Sequence, residues 1–339
     1  IVPAWNIGEN IQNIVNSIIN QPFGDFELII IDDGSSDNTL SILKGLEKID
    51  SRIKVFTKIN GGPSSARNIG LEYANGKYIQ FYDSDDNIPK NAMKITTSAI
   101  KKTSSDMLVS GWQIDLQSPK GLIENYKQIK PKEETINKDT TKYTLRSLGS
   151  IGTLYNLWNK LFRADIIRKY NLRFREDLYF GEDLLFSLDY IKHINSLSVI
   201  PDITYNYLTN SKTSVFSLSS INPNYRKIND EAIIAFAGPN PTDVEYDLSQ
   251  WLRWRWLMSY WSQVAVSKIS YREKLQLIRE FKPTNLSVIK TPKNIGWKKY
   301  IIQLIASMAR LSAFTSLLPG QLFQVLKKAI MFVKLNLRK

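Results

Sequence analysis

The first hundred residues alternate apolar strand-like runs with amphipathic segments, and this alternation constrains the fold more than any other feature. FELIIID at 26–32 and RIKVFTK at 52–58 have strand-like composition, whereas ENIQNIVNSIINQ at 9–21 places Ile and Val at helical spacing. Uninterrupted apolar strands between amphipathic helices predict a mainly parallel sheet with helices on both faces. The sequence therefore predicts an α/β fold.

Polar residues follow each of the first four predicted strands at its carboxyl end. They are Trp5 and Asn6, then Asp32 to Ser35, then Asn60 to Gly62, and finally Asp83, Ser84, Asp85 and Asp86. Ligands of such sheets bind beyond the carboxyl ends of the strands. Two acids separated by one residue, Asp83 and Asp85, can reach one Mg²⁺ or Mn²⁺, which prefer carboxylate and phosphate oxygens. The alternative is a polar loop that caps the next helix.

Composition narrows the chemistry of any metal site. The chain has no cysteine and a single histidine, His193. Disulfides, thiolate metal sites and clusters of several histidines are therefore excluded. We expect any metal to be a hard cation held by oxygens.

Positive charge is concentrated in the last quarter of the chain. The net charge is +13, and residues 251–339 carry 17 Lys and Arg against two acids, Glu273 and Glu280. The segment WLRWRWLMSYW at 251–261 mixes Trp and Arg, which suits a bilayer interface. We predict a helical, basic region over 216–339 that contacts the membrane peripherally, with packing on protein as the alternative. Nucleic acid is not expected as a partner, because no nucleic-acid motif is present.

The order of the motifs resembles that of family 2 glycosyltransferases with a GT-A fold. The resemblance rests on VPAWN, IIIDDGSSDNT and NGGPSSARNIGLEYANGKYIQFYDSDD, followed by WNKLFR at 158–163 and FGEDLLF at 180–186. It implies a GT-A domain over 1–215. Within that domain it implies a nucleotide-binding half at 1–112 and an acceptor-side half at 113–215.

The resemblance also implies where a nucleotide-sugar donor and a metal bind. Its donor-site positions are Pro3, Trp5, Asp32, Asp33, Arg67, Asp83 and Ser84, and its metal ligands are Asp83 and Asp85. Trp5 is placed beside the base and Asp33 at the base or ribose, with simple packing and helix capping as the alternatives. Arg67 is placed facing the diphosphate, with an exposed salt bridge as the alternative.

For catalysis, the resemblance implies that Asp183 takes the proton from an acceptor hydroxyl in a single inverting displacement, with Glu182 beside it. We expect the amino end of a helix to favour the charged form of Asp183. Trp158, Asn159 and Lys160 are implied contacts of the acceptor or donor sugar. A core position for Trp158 and a solvated Lys160 are the alternatives.

The predicted function is metal-dependent, inverting transfer of a hexosyl or N-acetylhexosaminyl group. The donor is expected to be a nucleoside diphosphate sugar, most simply a UDP-sugar with Mn²⁺ or Mg²⁺. The acceptor is expected to be a hydroxyl of a saccharide or lipid-linked saccharide in surface glycan synthesis, at the cytoplasmic face of the cell membrane. Two alternatives are a nucleotidyltransferase and a non-catalytic glycan-binding scaffold. A nucleotidyltransferase needs a basic residue after its first strand, and IVPAWNIGEN has none. The oligomeric state stays open.

Overall fold

The protein is described from a computed structural model that covers residues 1–117, 123–137, 153–178 and 181–210, with single residues and short helical pieces between 228 and 273. The strands are β1 (Val2–Ala4), β2 (Leu28–Asp32), β3 (Ile53–Thr57), β4 (Tyr78–Ile79), β5 (Met107–Gln117), β6 (Ile123–Ile129), β7 (Glu134–Asn137), β8 (Lys160–Arg163) and β9 (Ser196–Asn210). The helices are α1 (Ile11–Ile19), α2 (Thr39–Ile49), α3 (Gly62–Tyr73), α4 (Ala92–Thr103), α5 (Ala164–Lys169) and α6 (Glu182–Ile191).

The first three strands form a parallel sheet in the order β1, β2, β3. All five residues of β2 are buried, because helices cover both faces. Ile14 of α1 and Leu43 of α2 share a hydrophobic core with Ile30. Ile29 and Ile31 point to the opposite face, where α3 contacts β2. The predicted α/β architecture with helices on both faces is therefore confirmed.

The remaining strands form a mixed sheet in the order β4, β8, β5, β9, β7, with β6 paired to β5. Residues 113–150 look like an irregular connection in the sequence, but their described part contains the end of β5 and the whole of β6 and β7. Ile129 and Ile136 are buried, whereas Gln128 and Thr135 beside them are exposed. The outer faces of these strands are polar, and the runs are too short for their alternation to stand out in the sequence.

Residue 1 links the two sheets. The Ile1 nitrogen donates to the Gln80 carbonyl at 2.9 Å, and the Tyr82 nitrogen donates to the Ile1 carbonyl at 3.0 Å. The fourth predicted strand is thus shorter than expected. It forms β4, which pairs with β8 in antiparallel fashion, and the residues that follow β4 run beside residue 1 and β1. As a result the loop at residues 83–86, here called the acidic loop, follows the same sheet edge as Trp5 and Asp33.

The carboxyl-terminal part of the chain is largely outside the described residues. The chain divides into two compact units, Ile1–Ile289 and Lys290–Lys339, and every described residue lies in the first. The few described residues beyond 227 are helical, and Arg253 there pairs with Asp230 at 2.6 Å. Apart from residues 252 and 253, the Trp- and Arg-rich segment at 251–261 lies outside the described residues, as does the basic tail beyond residue 273. In the described part of the chain, no helix has the length and apolarity needed to cross a membrane.

Candidate active site

Asp33 holds together the loops at the carboxyl ends of β2 and β3. Its Oδ1 accepts hydrogen bonds from Lys58 Nζ at 2.8 Å and from the Gly61 nitrogen at 3.0 Å. Its Oδ2 accepts from the Gly62 nitrogen at 2.7 Å. Because Gly62 begins α3, the carboxylate lies at the positive end of that helix dipole. Asp33 is therefore a buried side chain at the amino end of α3, with both oxygens engaged by the chain itself.

The neighbouring residues of this edge differ in how open they are to a ligand. Asp32 is buried and accepts from Thr57 Oγ1 at 2.9 Å and from the Ser35 nitrogen at 3.4 Å. Trp5 is 58% exposed, so the packing alternative does not describe it. Pro3 is half-buried within β1. The edge thus presents one open indole ring beside two internally bonded carboxylates.

Arg67 joins the acidic loop to the start of α6. Its Nη2 donates to Asp83 Oδ1 at 3.1 Å, and its Nη1 donates to Asp183 Oδ1 at 3.0 Å and Glu182 Oε1 at 3.4 Å. Burial acts to lower the pKa of Arg67, but the carboxylates of Asp183, Asp83 and Glu182 outweigh it and raise that pKa above the ordinary value. The Arg67 side chain also lies 5.5 Å from the centre of the Phe174 ring. One buried cation therefore gathers acids that are far apart in the sequence.

The environment of Asp183 favours its protonated form. Burial raises the pKa of Asp183 to about 8, and the negative charges of Glu182 and Asp83 act in the same direction. Arg67 and Lys160 act to lower that pKa. The sequence leads to the opposite expectation, because Asp183 lies in the first turn of α6. The helix dipole is a modest effect, worth less than the desolvation of a carboxylate. A carboxyl group whose pKa lies near neutrality is suited to proton transfer.

Asp83 and Asp85 supply carboxylate oxygens that fit a hard divalent cation. In the described residues no Lys or Arg forms an ion pair with Asp85, whose pKa is raised by desolvation and then by the charge of Asp83. Such excess negative charge favours a bound cation. Within the same residues no group of three or more acids or histidines is arranged to hold a metal. Two carboxylates would therefore need further oxygens, such as those of a diphosphate, and Ser84 lies half-buried between them.

Asp86 ties the acidic loop to β9 and does not extend the candidate metal site. It is buried, and it accepts hydrogen bonds from the Tyr205 hydroxyl and from the Leu208 nitrogen at 2.7 Å. Burial, followed by the charges of Asp83 and Asp85, raises the pKa of Asp86 to about 8. The role of Asp86 is thus to shape the loop.

The segment Trp158 to Lys160 is buried, and its polar atoms are engaged internally. Trp158 stacks on Tyr205 with ring centres 4.1 Å apart, which matches the core alternative. Asn159 Nδ2 donates to the Ser110 carbonyl at 3.2 Å. Lys160 Nζ donates to Asn159 Oδ1 at 3.1 Å and to the Thr153 and Asn156 carbonyls, and burial lowers the pKa of Lys160 to about 7. Lys160 is therefore neither solvated nor open to a sugar.

Two groups that the structure places at the site are not among the predicted site residues. Lys58, the partner of Asp33, lacks any local signal, because their contact crosses from β2 to β3. Tyr205 and Tyr207 lie on β9 beside the acidic loop, and Tyr205 is bonded to Asp86. The tyrosine alternation in ITYNYL indicates a half-buried strand, but its partner is not visible from the sequence.

A profile of the family described as "Glycosyl transferase family 2" matches residues 1–170, half of the chain. The chain belongs to glycosyl transferase family 2. Membership confirms the resemblance drawn from the motifs. It also removes the basis for the nucleotidyltransferase alternative, which belongs to a different enzyme class.

The relatives of the chain include proteins named as glycosyltransferases. It is 27% identical over 318 residues to the poly(ribitol-phosphate) β-N-acetylglucosaminyltransferase TarP of Staphylococcus aureus, covering 90% of this chain and 91% of the relative. It is 28% identical over 213 residues to the uncharacterized glycosyltransferase EpsJ of Bacillus subtilis, covering 62% of this chain and 60% of EpsJ. It is 29% identical over 227 residues to TarS of S. aureus, covering 66% of this chain and 37% of TarS. The chain thus spans less than two thirds of the length of the latter two.

Solved structures agree with the fold. TarS residues 1–349 in complex with UDP-GlcNAc superpose with a TM-score of 0.63 at 24% identity, covering 82% of this chain and 78% of that one. The mannosyltransferase PcManGT from Pyrobaculum calidifontis, in complex with GDP-Man and Mn²⁺, gives a TM-score of 0.54 at 10% identity, covering 97% of this chain and 83% of that one. At these identities the likeness shows the fold alone.

Proposed function

We propose that the protein is an inverting, metal-dependent glycosyltransferase that moves a hexosyl or N-acetylhexosaminyl group from a UDP-sugar to a hydroxyl of a saccharide or lipid-linked saccharide. Family membership supports the reaction class. The names of TarP and TarS as N-acetylglucosaminyltransferases support the sugar type and a role in surface glycan synthesis. The complex of TarS with UDP-GlcNAc supports UDP as the nucleotide.

The contact of Arg67 with both Asp83 and Asp183 is the observation that carries this proposal. Asp183 is separated from Arg67 by 116 positions, yet their atoms lie 3.0 Å apart. The proposed metal ligand and the proposed base thereby belong to one cluster at the carboxyl edge of the sheet. If Glu182 and Asp183 served only to stabilise the start of α6, they would not need a buried arginine that also pairs with the acidic loop.

The donor is proposed to lie along the sheet edge between Trp5 and the acidic loop. The exposed indole of Trp5 can stack on the uracil ring. Asp33 is fixed by Lys58 and by the backbone at the start of α3, so we assign it the positioning of the loop around Gly61 and Gly62, beside which the ribose is proposed to lie. Both terminal nitrogens of the Arg67 guanidinium are bonded to carboxylates, and only its buried Nε has no hydrogen-bond partner. We therefore assign Arg67 the positioning of Asp83 and Asp183 in place of direct contact with the diphosphate.

Asp183 is proposed to act as the general base. The acceptor oxygen attacks the anomeric carbon of the donor sugar, and the bond from that carbon to the phosphate oxygen breaks. UDP leaves with the electron pair of the broken bond, and the acceptor proton passes to the Asp183 carboxylate. A divalent cation on Asp83 and Asp85 would supply neutralisation of the charge on the departing diphosphate. Glu182, adjacent to Asp183 and bonded to Arg67, helps hold the start of α6 in position.

The carboxyl-terminal region, residues 216–339, is proposed to contact the inner face of the cell membrane peripherally. Its Lys and Arg would meet anionic headgroups, and its Trp residues would lie at headgroup depth. Flotation with liposomes that contain or lack phosphatidylglycerol tests this assignment. We expect the full chain to float with anionic liposomes, and equal flotation after removal of residues 296–339 would count against attachment through that segment.

Donor turnover tests the proposed function. The protein is incubated with Mn²⁺ and a panel of UDP- and GDP-sugars, and release of free nucleotide is followed. We expect hydrolysis of at least one UDP-sugar, reduced by 100-fold or more in Asp183→Asn, as is typical of losing a general base, and strongly reduced in Asp85→Asn. Asp189→Asn is the matched control, because Asp189 lies on the same helix but pairs with Lys192 at the surface. Absence of nucleotide-sugar binding, or full activity in both site variants, would refute the proposal.

A further inference from the structure

A row of aromatic rings runs from the protein core to the surface beside the acidic loop. Tyr205, which is fully buried, stacks on Trp158 with ring centres 4.1 Å apart and planes 8° apart. Tyr207 lies 6.2 Å from Trp158 with planes 16° apart, and it is 41% exposed. Trp112 packs its edge on Trp158 at 5.0 Å. The Tyr207 ring is therefore the outermost member of a stack whose inner members cannot move freely.

The backbone on one side of Tyr207 is hydrogen-bonded to the acidic loop, and on the other side to Asn87, the residue that follows this loop. The Asn206 nitrogen donates to the Asn87 carbonyl at 3.1 Å, and the Leu208 nitrogen donates to Asp86 Oδ1 at 2.7 Å. The side-chain amides of Asn206 and Asn87 are bonded at 2.8 Å. Burial, and after it the charges of the acidic loop, raise the pKa of the Tyr207 hydroxyl, which agrees with this proximity. Tyr207 is thus a fixed, half-open ring beside the acidic loop.

Building on the proposed function, we propose that the Tyr207 ring is the platform on which a pyranose ring stacks during transfer. A pyranose has one face of C–H groups that packs on an aromatic ring while its hydroxyls stay in water. A tyrosine already fixed by its neighbours loses little conformational freedom when a sugar stacks on it. The phenol oxygen is not required for this contact, so phenylalanine at position 207 is expected to make the same contact.

The stacked pyranose can be the transferred sugar of the donor or a sugar of the acceptor, and two arms of one experiment distinguish them. In the donor arm, calorimetry with Mn²⁺ measures the affinities for UDP, UDP-GlcNAc and UDP-glucose. If the donor sugar stacks, Tyr207→Ala weakens binding of the UDP-sugars roughly 3- to 10-fold, the range of an aromatic contact, and leaves UDP binding unchanged. Tyr207→Phe keeps wild-type affinity.

In the acceptor arm, saturation-transfer NMR with Mg²⁺ and UDP measures contact of the protein with methyl β-glucoside and methyl N-acetyl-β-glucosaminide. If the acceptor sugar stacks, Tyr207→Ala loses the signal from the ring protons of these probes, and Tyr207→Phe retains it. The donor affinities are then the same in all variants.

Tyr73→Ala is the matched control, because Tyr73 is 47% exposed and stacks on Phe56 with ring centres 3.8 Å apart. It lies at the far end of α3 from Gly62, about 17 Å along the helix, so it should change neither arm. Thermal midpoints of the variants near the wild-type value confirm intact folding. If Tyr207→Ala alters neither arm while the wild-type protein binds UDP, the platform proposal is overturned and the proposed function stands. A wild-type protein that binds neither UDP nor a UDP-sugar overturns both.

Discussion

The substitution Arg67→Met removes the guanidinium shared by three carboxylates while keeping much of the apolar stem. The Arg67 side chain is 6% exposed, and those of Asp83, Glu182 and Asp183 are 33%, 13% and 26% exposed. The acids are therefore left partly desolvated without their counter-charge. Breaking a buried ion pair from one side costs about 3–5 kcal/mol. Because water reaches Asp83 in part, and because Asp183 with its pKa of about 8 is largely protonated at pH 7, we expect the lower end, a loss of about 3 kcal/mol in the free energy of unfolding at pH 7.

The loss is expected to grow at alkaline pH. Arg67 acts to lower the pKa of Asp183, which is about 8 in the folded protein, so its removal raises that pKa further. Above pH 8 the wild-type carboxyl group has released its proton, whereas the folded variant still holds it and the unfolded chain does not. Stability falls with pH wherever the folded state binds more protons than the unfolded state. Above pH 8 the variant therefore continues to lose stability through Asp183 as the pH rises, whereas the wild-type protein no longer does.

Urea denaturation at pH 7 and pH 9.5, followed by circular dichroism, measures both effects. Arg175→Met is the control, because Arg175 pairs with Asp177 at the surface, where the two side chains are 48% and 57% exposed. We expect this control to change stability by about 0.5 kcal/mol or less. The reasoning is refuted if Arg67→Met is as stable as the control, or if its deficit shrinks as the pH rises.

Three further predictions concern the acidic loop, the base and the donor edge. The thermal midpoint of the wild-type protein should fall as pH rises from about 4 to 8. The reason is that folded Asp86 has a pKa of about 8 and retains a proton that the unfolded chain releases near pH 4. The thermal midpoint of Asp86→Asn should fall less over the same range. The kcat/KM for UDP-sugar hydrolysis should rise between pH 6 and 8 as Asp183 ionises, and a falling profile would contradict its role as base. Gly34→Ala should lose about 2 kcal/mol in urea denaturation, because Gly34 has φ +70° and an added Cβ would lie 2.8 Å from the Asn60 nitrogen; unchanged stability would argue against this strain.

Much of the fold could be predicted because its signals are local. The strand β2 is a continuous apolar run, and α1 shows a clear helical period, so the parallel half follows from the pattern. The mixed sheet could not be predicted in the same way. Its central pairing, β5 with β9 in parallel, joins residues such as Met107 and Leu197 that are 90 positions apart, and no local pattern specifies which strands will pair.

Part of the membership of the candidate site could also be predicted, but the contacts within it could not. Motif order places Asp83, Arg67 and Asp183 at one site, and the structure pairs Arg67 with each of the two acids. The partners of Arg67 depend on the approach of α6 to the acidic loop, which sequence spacing does not encode. Lys160 shows the same limit, because its burial depends on carbonyl groups of the preceding turn that satisfy its ammonium group.

The anomeric form of the sugar first released from UDP-GlcNAc tests the central claim most directly. UDP-GlcNAc carries an α-linked sugar, and a single displacement by water at the anomeric carbon inverts it. Proton NMR with Mg²⁺, at an enzyme concentration where hydrolysis outruns mutarotation, resolves the two anomers by their anomeric protons. The account predicts that the β-anomer appears first and that Asp183→Asn abolishes its release. Initial appearance of the α-anomer, or release that is independent of Asp183, would contradict it.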